Sequence, residues 1–136
     1  MKKVTTILML VVALLVGGMT AEAKTSSKKK TSSSSSIKFE QLSDGYADIG
    51  GHTYSGNLQG VKMTVKFGPY TGSNSEVLIK ATYRGQTEQE LNNWYYEGNG
   101  VIMFYMGGGT PCYYEIRNGG KELYNSEANF TLKVTK

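Results

Sequence analysis

The feature that most constrains this chain is a two-residue rhythm: Val61, Met63, Val65 and Phe67 are separated by Lys62, Thr64 and Lys66. Successive side chains of an extended strand point to opposite sides of a sheet, so this spacing puts four apolar groups on one face and polar ones on the other. The rhythm returns in Val77, Ile79, Ala81 and Tyr83, set among Leu78, Lys80, Thr82 and Arg84. It returns again in Ala128, Phe130, Leu132 and Val134, set among Asn129, Thr131 and Lys133. Val101 to Met106 is apolar at every position, which predicts a strand covered on both faces or one whose outer face meets a partner. Thr87 and Glu90 imitate a helix capping box. No 3.6-period stripe follows them, and Trp94, Tyr95 and Tyr96 favour extended backbone. Gln86 to Glu97 is therefore read mainly as a strand with a possible bulge.

Turn residues join these segments at short intervals. Gly98-Asn99-Gly100 precedes Val101, and Asn118-Gly119-Gly120 links Cys112–Arg117 to Lys121–Tyr124. Asn and Gly accept the positive φ that tight hairpins require. Successive hairpins make sequence neighbours spatial neighbours, which is a meander. About eight strands in this order leave two unpaired edges, and closing the sheet removes them. The expected fold is all-β, an antiparallel up-and-down meander closing into a lipocalin-like barrel, with a two-sheet β-sandwich as the alternative.

The barrel is expected to span residues 37–136, where the composition changes to 15 aromatic residues and 15 glycines. Before it, Lys24 to Ser36 contains only Lys, Ser and Thr. With nothing apolar to bury, that segment reads as a disordered linker. Before that, Lys2 and Lys3, an apolar run from Ile7 to Val16 and the small-residue site Ala21-Glu22-Ala23 form the pattern of a signal peptide cleaved after Ala23. The apolar run is shorter than a membrane-spanning helix needs, so no transmembrane segment is expected after cleavage. The expected location is secreted or periplasmic.

Charge has to be located before it is interpreted. Of 15 Lys and Arg, two lie in the signal and four in the linker, leaving nine; of 11 Asp and Glu, Glu22 lies in the signal, leaving ten. Residues 37–136 are thus nearly neutral and lack the basic footprint that nucleic acid requires. Only the Lys-rich linker offers weak electrostatic contact with acidic lipid or polysaccharide. Cys112 is the single cysteine, which excludes an intramolecular disulfide or thiolate zinc site and predicts a buried thiol.

His52-Thr53-Tyr54-Ser55-Gly56-Asn57-Leu58, Gly60-Val61-Lys62-Met63-Thr64-Val65, Trp94, and Tyr113-Tyr114-Glu115-Ile116 followed by Gly120-Lys121-Glu122-Leu123 carry a resemblance. Over about residues 50–125 the chain resembles the small lipocalin-like barrels of bacterial envelope proteins. The nearest pattern is the amino-terminal domain of the copper-resistance and envelope-stress lipoprotein family. That resemblance implies a barrel and an envelope or secreted setting. The family's Cys-x-x-Cys is replaced here by Asn57-Leu58-Gln59-Gly60, and no lipid-attachment cysteine follows the signal. No metal or redox residue carries over, and no cofactor is expected.

Catalytic arrangements are weakly supported. His52 is the only histidine and stands beside a turn with no nucleophile elbow near it. Glu88 and Glu90 share one face of a strand, as paired glycosidase carboxylates do, but their Gln and Asn neighbours predict a solvated outer face. Gly107-Gly108-Gly109-Thr110 lacks the helix a phosphate cradle needs, and Asn129-Phe130-Thr131 is a sequon inside a strand. The remaining candidates are aromatic: Trp94, Tyr96, Phe104, Tyr105, Tyr113 and Tyr114 are the expected ligand-binding residues. Inward rings either fill the barrel or line a pocket, and outward ones form a contact patch. The expected function is a non-enzymatic exported binding or interaction module of the bacterial cell envelope, its ligand a small apolar molecule, a glycan or a protein. A secreted enzyme inhibitor or structural envelope protein with a filled core is the alternative.

Overall fold

The alternation around Val65 forms a seven-residue strand, Val61–Phe67, whose odd positions are buried and whose two lysines are exposed. The computed structural model of the chain describes residues 37–71, 75–107 and 109–136; the expected signal peptide and linker lie outside the described residues. In chain order the strands are β1 (Glu40–Gln41), β2 (Ala47–Asp48), β3 (Thr53–Leu58), β4 (Val61–Phe67), β5 (Glu76–Tyr83) and β6 (Gln86–Gly98). After them come β7 (Val101–Met106), β8 (Thr110–Arg117), β9 (Glu122–Asn125) and β10 (Phe130–Val134), with a short 3-10 turn at Asn118–Gly120.

Strands β3 to β10 pair antiparallel in sequence order, and β10 returns to β3 through Lys133↔Ser55 and Val134↔Tyr54. The result is a closed eight-stranded up-and-down barrel rather than a sandwich. Gln86–Gly98 is strand throughout, and its pairing with β7 shifts register between Tyr96 and Gly98, where the bulge falls. The hairpin residues adopt the backbone that their chemistry permits: φ is +55° at Asn99 and +57° at Asn118. The expected Ala128–Val134 strand begins at Phe130, because Asn129 takes φ +52° in the preceding turn.

Each strand sends one face inward, and the buried side chains of all eight form one continuous core. The chain before β3 covers the barrel end that carries the β4–β5, β6–β7 and β8–β9 connections. Its Ile49 is buried in the core, and Phe39 packs against it. Two glycines make this close approach possible. At Gly120 (φ +99°) a Cβ would stand 2.7 Å from Ala47 Cβ and 2.8 Å from the Phe39 ring, and at Gly100 (φ +77°) one would collide with Tyr46. Any larger residue would therefore push the amino-terminal strap off the barrel as well as strain the backbone.

Candidate functional site

The six sequence-predicted residues lie on three adjacent strands, β6, β7 and β8, but they divide between the two sides of the sheet. Register decides which side each takes. Trp94 pairs with Phe104, which pairs with Cys112, while Tyr96 pairs with Ile102, which pairs with Tyr114. Directly opposed residues share a face, so Trp94, Tyr96, Phe104 and Tyr114 point inward, with Trp94, Phe104 and Tyr114 fully buried.

These rings pack on one another. Phe67 is the hub, meeting Trp94 at 5.3 Å, Phe104 at 5.7 Å and Tyr54 at 5.7 Å between centroids, all edge to face, the arrangement that ring quadrupoles favour. Phe104 stacks on Tyr114 at 5.3 Å with 7° between planes. Trp94 donates its Nε1–H to the Gly68 carbonyl at 3.1 Å, and Tyr70 from the β4–β5 connection leans over it. The inward aromatics fill the barrel at this level, as interiors of eight-stranded barrels are commonly filled.

Tyr96 has a different task. Its hydroxyl donates to Asp44 of the strap and accepts from the Gly100 N–H at 2.8 Å. The pair shifts both groups: the Tyr96 hydrogen bond holds the Asp44 carboxyl below its ordinary range, and partial desolvation with Asp44 nearby raises the Tyr96 phenol. Tyr96 is thus half of a latch between strap and barrel.

Deeper in, burial raises the phenols of Tyr54 and Tyr114, and Tyr54 donates to the Gly120 carbonyl. The Tyr114 hydroxyl is buried and has no hydrogen-bond partner among the described residues. Burial also pushes the Cys112 thiol up to about 12, so little thiolate exists at neutral pH. The expectation of a buried thiol is met.

The remaining two candidates, Tyr105 and Tyr113, point outward and join residues that the candidate set had omitted. Tyr95 pairs with Met103, and Met103 pairs with Tyr113, so the three form a row across the outer face of β6–β7–β8. Tyr105, opposite Pro111, stands in the next row, its ring 6.1 Å from Tyr95 at 82°. Tyr95 and Tyr113 are 37% and 51% exposed, whereas the outward Met103 between them is only 8% exposed. This explains the uninterrupted apolar run Val101–Met106: one set fills the barrel, and the other forms the middle of an aromatic outer wall. The missed signal lay in the hairpin at Gly98–Gly100, whose register places Met103 beside Tyr95.

Two further sites differ from expectation or fill it in. Glu90 pairs with Ile79 and Glu88 with Ala81, both fully buried, so the two carboxylates stand on the inner face at the barrel rim rather than on a solvated outer face. Glu90 accepts from the Gly107 N–H and from the Asn92 side-chain amide, both at 2.8 Å. These donors satisfy a carboxylate that the pleat would otherwise strand near the core. His52 packs on Phe39 at 4.2 Å, and its Nδ1 lies 3.1 Å from the Lys136 carbonyl, tying the strap to the chain that follows β10. Among the described residues no group of three or more His, Cys, Asp and Glu could hold a metal ion.

The fold and this wall define a closed antiparallel barrel with a packed aromatic interior and a tyrosine-bearing outer face. Comparison with protein-family models, curated proteins and solved structures finds no match to the chain.

Proposed function

We propose that this chain is an exported, non-enzymatic interaction module of the bacterial cell envelope, related to the lipocalin-like envelope barrels, which binds another protein through the outer face of β6–β7–β8. The single observation that carries this reading is the division of the aromatic set. Trp94, Phe104 and Tyr114 spend their surface on one another, while Tyr95, Tyr105 and Tyr113 stay outside around Met103. Tyr and Met are enriched at protein interfaces because they combine apolar area with adaptability or a polar tip. The filled interior favours contact at the surface over carriage of a small apolar molecule. The near-perpendicular setting of Tyr95 and Tyr105 favours a protein over a glycan, which stacks best on coplanar rings. An enzyme inhibitor and a structural envelope protein are two forms that such a partner-binding role could take.

A photo-crosslinking residue placed at Tyr113 in the producing cell tests this, with the same residue at Gln59, an exposed position in the β3–β4 turn across the barrel from the wall, as control. The expected result is a discrete protein adduct from position 113 and none from 59. Equal labelling at both positions, or a stoichiometric small-molecule adduct retained by the purified protein in native mass spectrometry, would contradict the proposal. Export is checked separately: the mature chain should begin at Lys24.

A further inference from the structure

The outer surface of the barrel is divided by charge as well as by aromaticity. On β3, β4, β5 and β10 the outward positions read Thr53, Ser55 and Asn57, then Lys62, Thr64 and Lys66, then Leu78, Lys80 and Thr82, then Thr131 and Lys133. Register brings these lysines into one field: Lys133 pairs with Ser55, Ser55 with Thr64 and Thr64 with Lys80, with Lys62 and Lys66 on either side of Thr64. All four lysines are exposed, and Glu76 at the start of β5 is the only carboxylate on these outward strand positions.

The opposite wall has the reverse character. Glu97 and Glu115 are its outward carboxylates and Arg117 its one cation, which contacts Glu115 at 2.7 Å and lies 4.0 Å over the Tyr124 ring; Glu122 stands between Arg117 and Lys133 and marks the boundary of the two walls. Glu115 stands opposite Val101, one row from the Tyr95–Met103–Tyr113 line, so carboxylates border the tyrosines. On a ring of eight strands, β3 and β7 are four steps apart, which puts the lysine wall and the tyrosine wall on opposite sides of the barrel.

From this charge complementarity we propose that the partner of the tyrosine wall is a second copy of this chain, which presents its lysine wall. The inference rests on the protein-binding role assigned to the tyrosine wall. Lysine ammonium groups meet Glu97 and share Glu115 with Arg117, and their stems and cations lie over Tyr95 and Tyr113, where ring faces attract positive charge. Such a contact is heterologous: each copy uses one wall and leaves the other open, so copies add head to tail. Because the two walls are opposed, the product is an open linear array. A near-neutral barrel associates in this way only while its two halves remain segregated, so association weakens as salt shortens the screening length to about 3 Å near 1 M.

Two wall-reversed variants of the exported chain, studied by sedimentation velocity across a concentration series, decide the matter. Lys66→Glu with Lys80→Glu reverses the lysine wall, and Glu97→Lys with Glu115→Lys reverses the carboxylates of the tyrosine wall. Circular dichroism and thermal melting verify that both remain folded, as expected for substitutions at outward positions. The expected results are salt-sensitive, concentration-dependent growth of the wild type, and association weakened more than about a hundredfold in each variant alone. Mixed, the two variants should associate again, because each retains the native wall that the other lacks and the two reversed walls carry opposite charge. Both variants keep the Lys-rich linker, so unchanged association of the first variant would assign binding to that segment and overturn the proposal. A wild type that stays monomeric at every concentration, or a mixture that forms no complex, would overturn it as well. If Tyr113 still crosslinked to a different protein in either case, the proposed function would stand and only the self-association would fall.

Discussion

Strands β4 and β6 lie one strand apart in the same sheet, yet their sequences specify their faces by different means. In β4 the inward residues Val61, Met63, Val65 and Phe67 are all apolar, and the outward ones are Lys62, Thr64 and Lys66. Hydrophobic burial alone fixes which way the strand faces, since a slip of one residue would expose all four. In β6 the inward residues are Glu88, Glu90, Asn92, Trp94 and Tyr96, while Leu91, at 60% exposed, points out. Only its second half carries an apolar signal. Its first half is oriented by pairing with β5 and by hydrogen bonds that make a carboxylate tolerable at the rim.

That contrast predicts unequal responses to mutation. The largest effect is expected from Phe67→Ala at the inner end of β4, which removes the ring that three other aromatics meet edge to face. A loss of about 3–5 kcal/mol in denaturant-measured stability is expected, the range for deleting a buried aromatic side chain. A loss under about 1 kcal/mol would mean that the aromatic cluster is not the keystone described here.

Glu90→Ala tests β6 in the opposite sense. Its inward carboxylate serves the Gly107 N–H and the Asn92 amide, so its removal should cost about 1–3 kcal/mol by leaving those donors without their acceptor. A solvated outward glutamate would cost within about 0.5 kcal/mol. The same chemical denaturation experiment therefore reads which face the strand presents.

The smallest effect belongs to the strap latch. Asp44 has its folded pKa lowered below 3.8, so its contribution is present above that value and is lost as pH falls through the folded value. Tyr96 is shifted upward from 10, so its contribution is present below pH 10 and is lost as pH rises through the folded value. Asp44 is solvent-exposed, and screening keeps the effect small. Melting temperature followed from pH 2 to 7 should fall on the acid side slightly more steeply for wild type than for Asp44→Asn; superimposable curves would exclude the latch.

How much of this was legible in the sequence follows the same division. The barrel, the strands around Val65, Ile79 and Leu132, the hairpins at Asn99 and Asn118 and the buried Cys112 were readable because each rests on local chemistry: period-2 burial, positive φ, or thiol burial. The inward set of aromatics was readable as a composition but not as an arrangement. Which ring of Trp94-Tyr95-Tyr96 faces inward depends on the bulge after Tyr96, which no local pattern announces. The outward reading of Glu88 and Glu90 fails because their polar neighbours describe solvation, whereas their orientation is set by Ile79 and Ala81 on another strand. The strap was invisible for the same reason, since Asp44, Tyr46 and Phe39 acquire meaning only beside Tyr96, Gly100 and Gly120.

The central claim is that the barrel is packed with its own side chains and meets its partner from outside. Tyrosine nitration of the native protein, mapped by peptide mass spectrometry, tests it most directly. The account predicts rapid modification of Tyr113 and Tyr95, with Tyr54 and Tyr114 spared until the protein is unfolded. Nitration of Tyr114 in the native state at a rate comparable to Tyr113 would contradict it, because reagent would then be reaching an interior described here as filled.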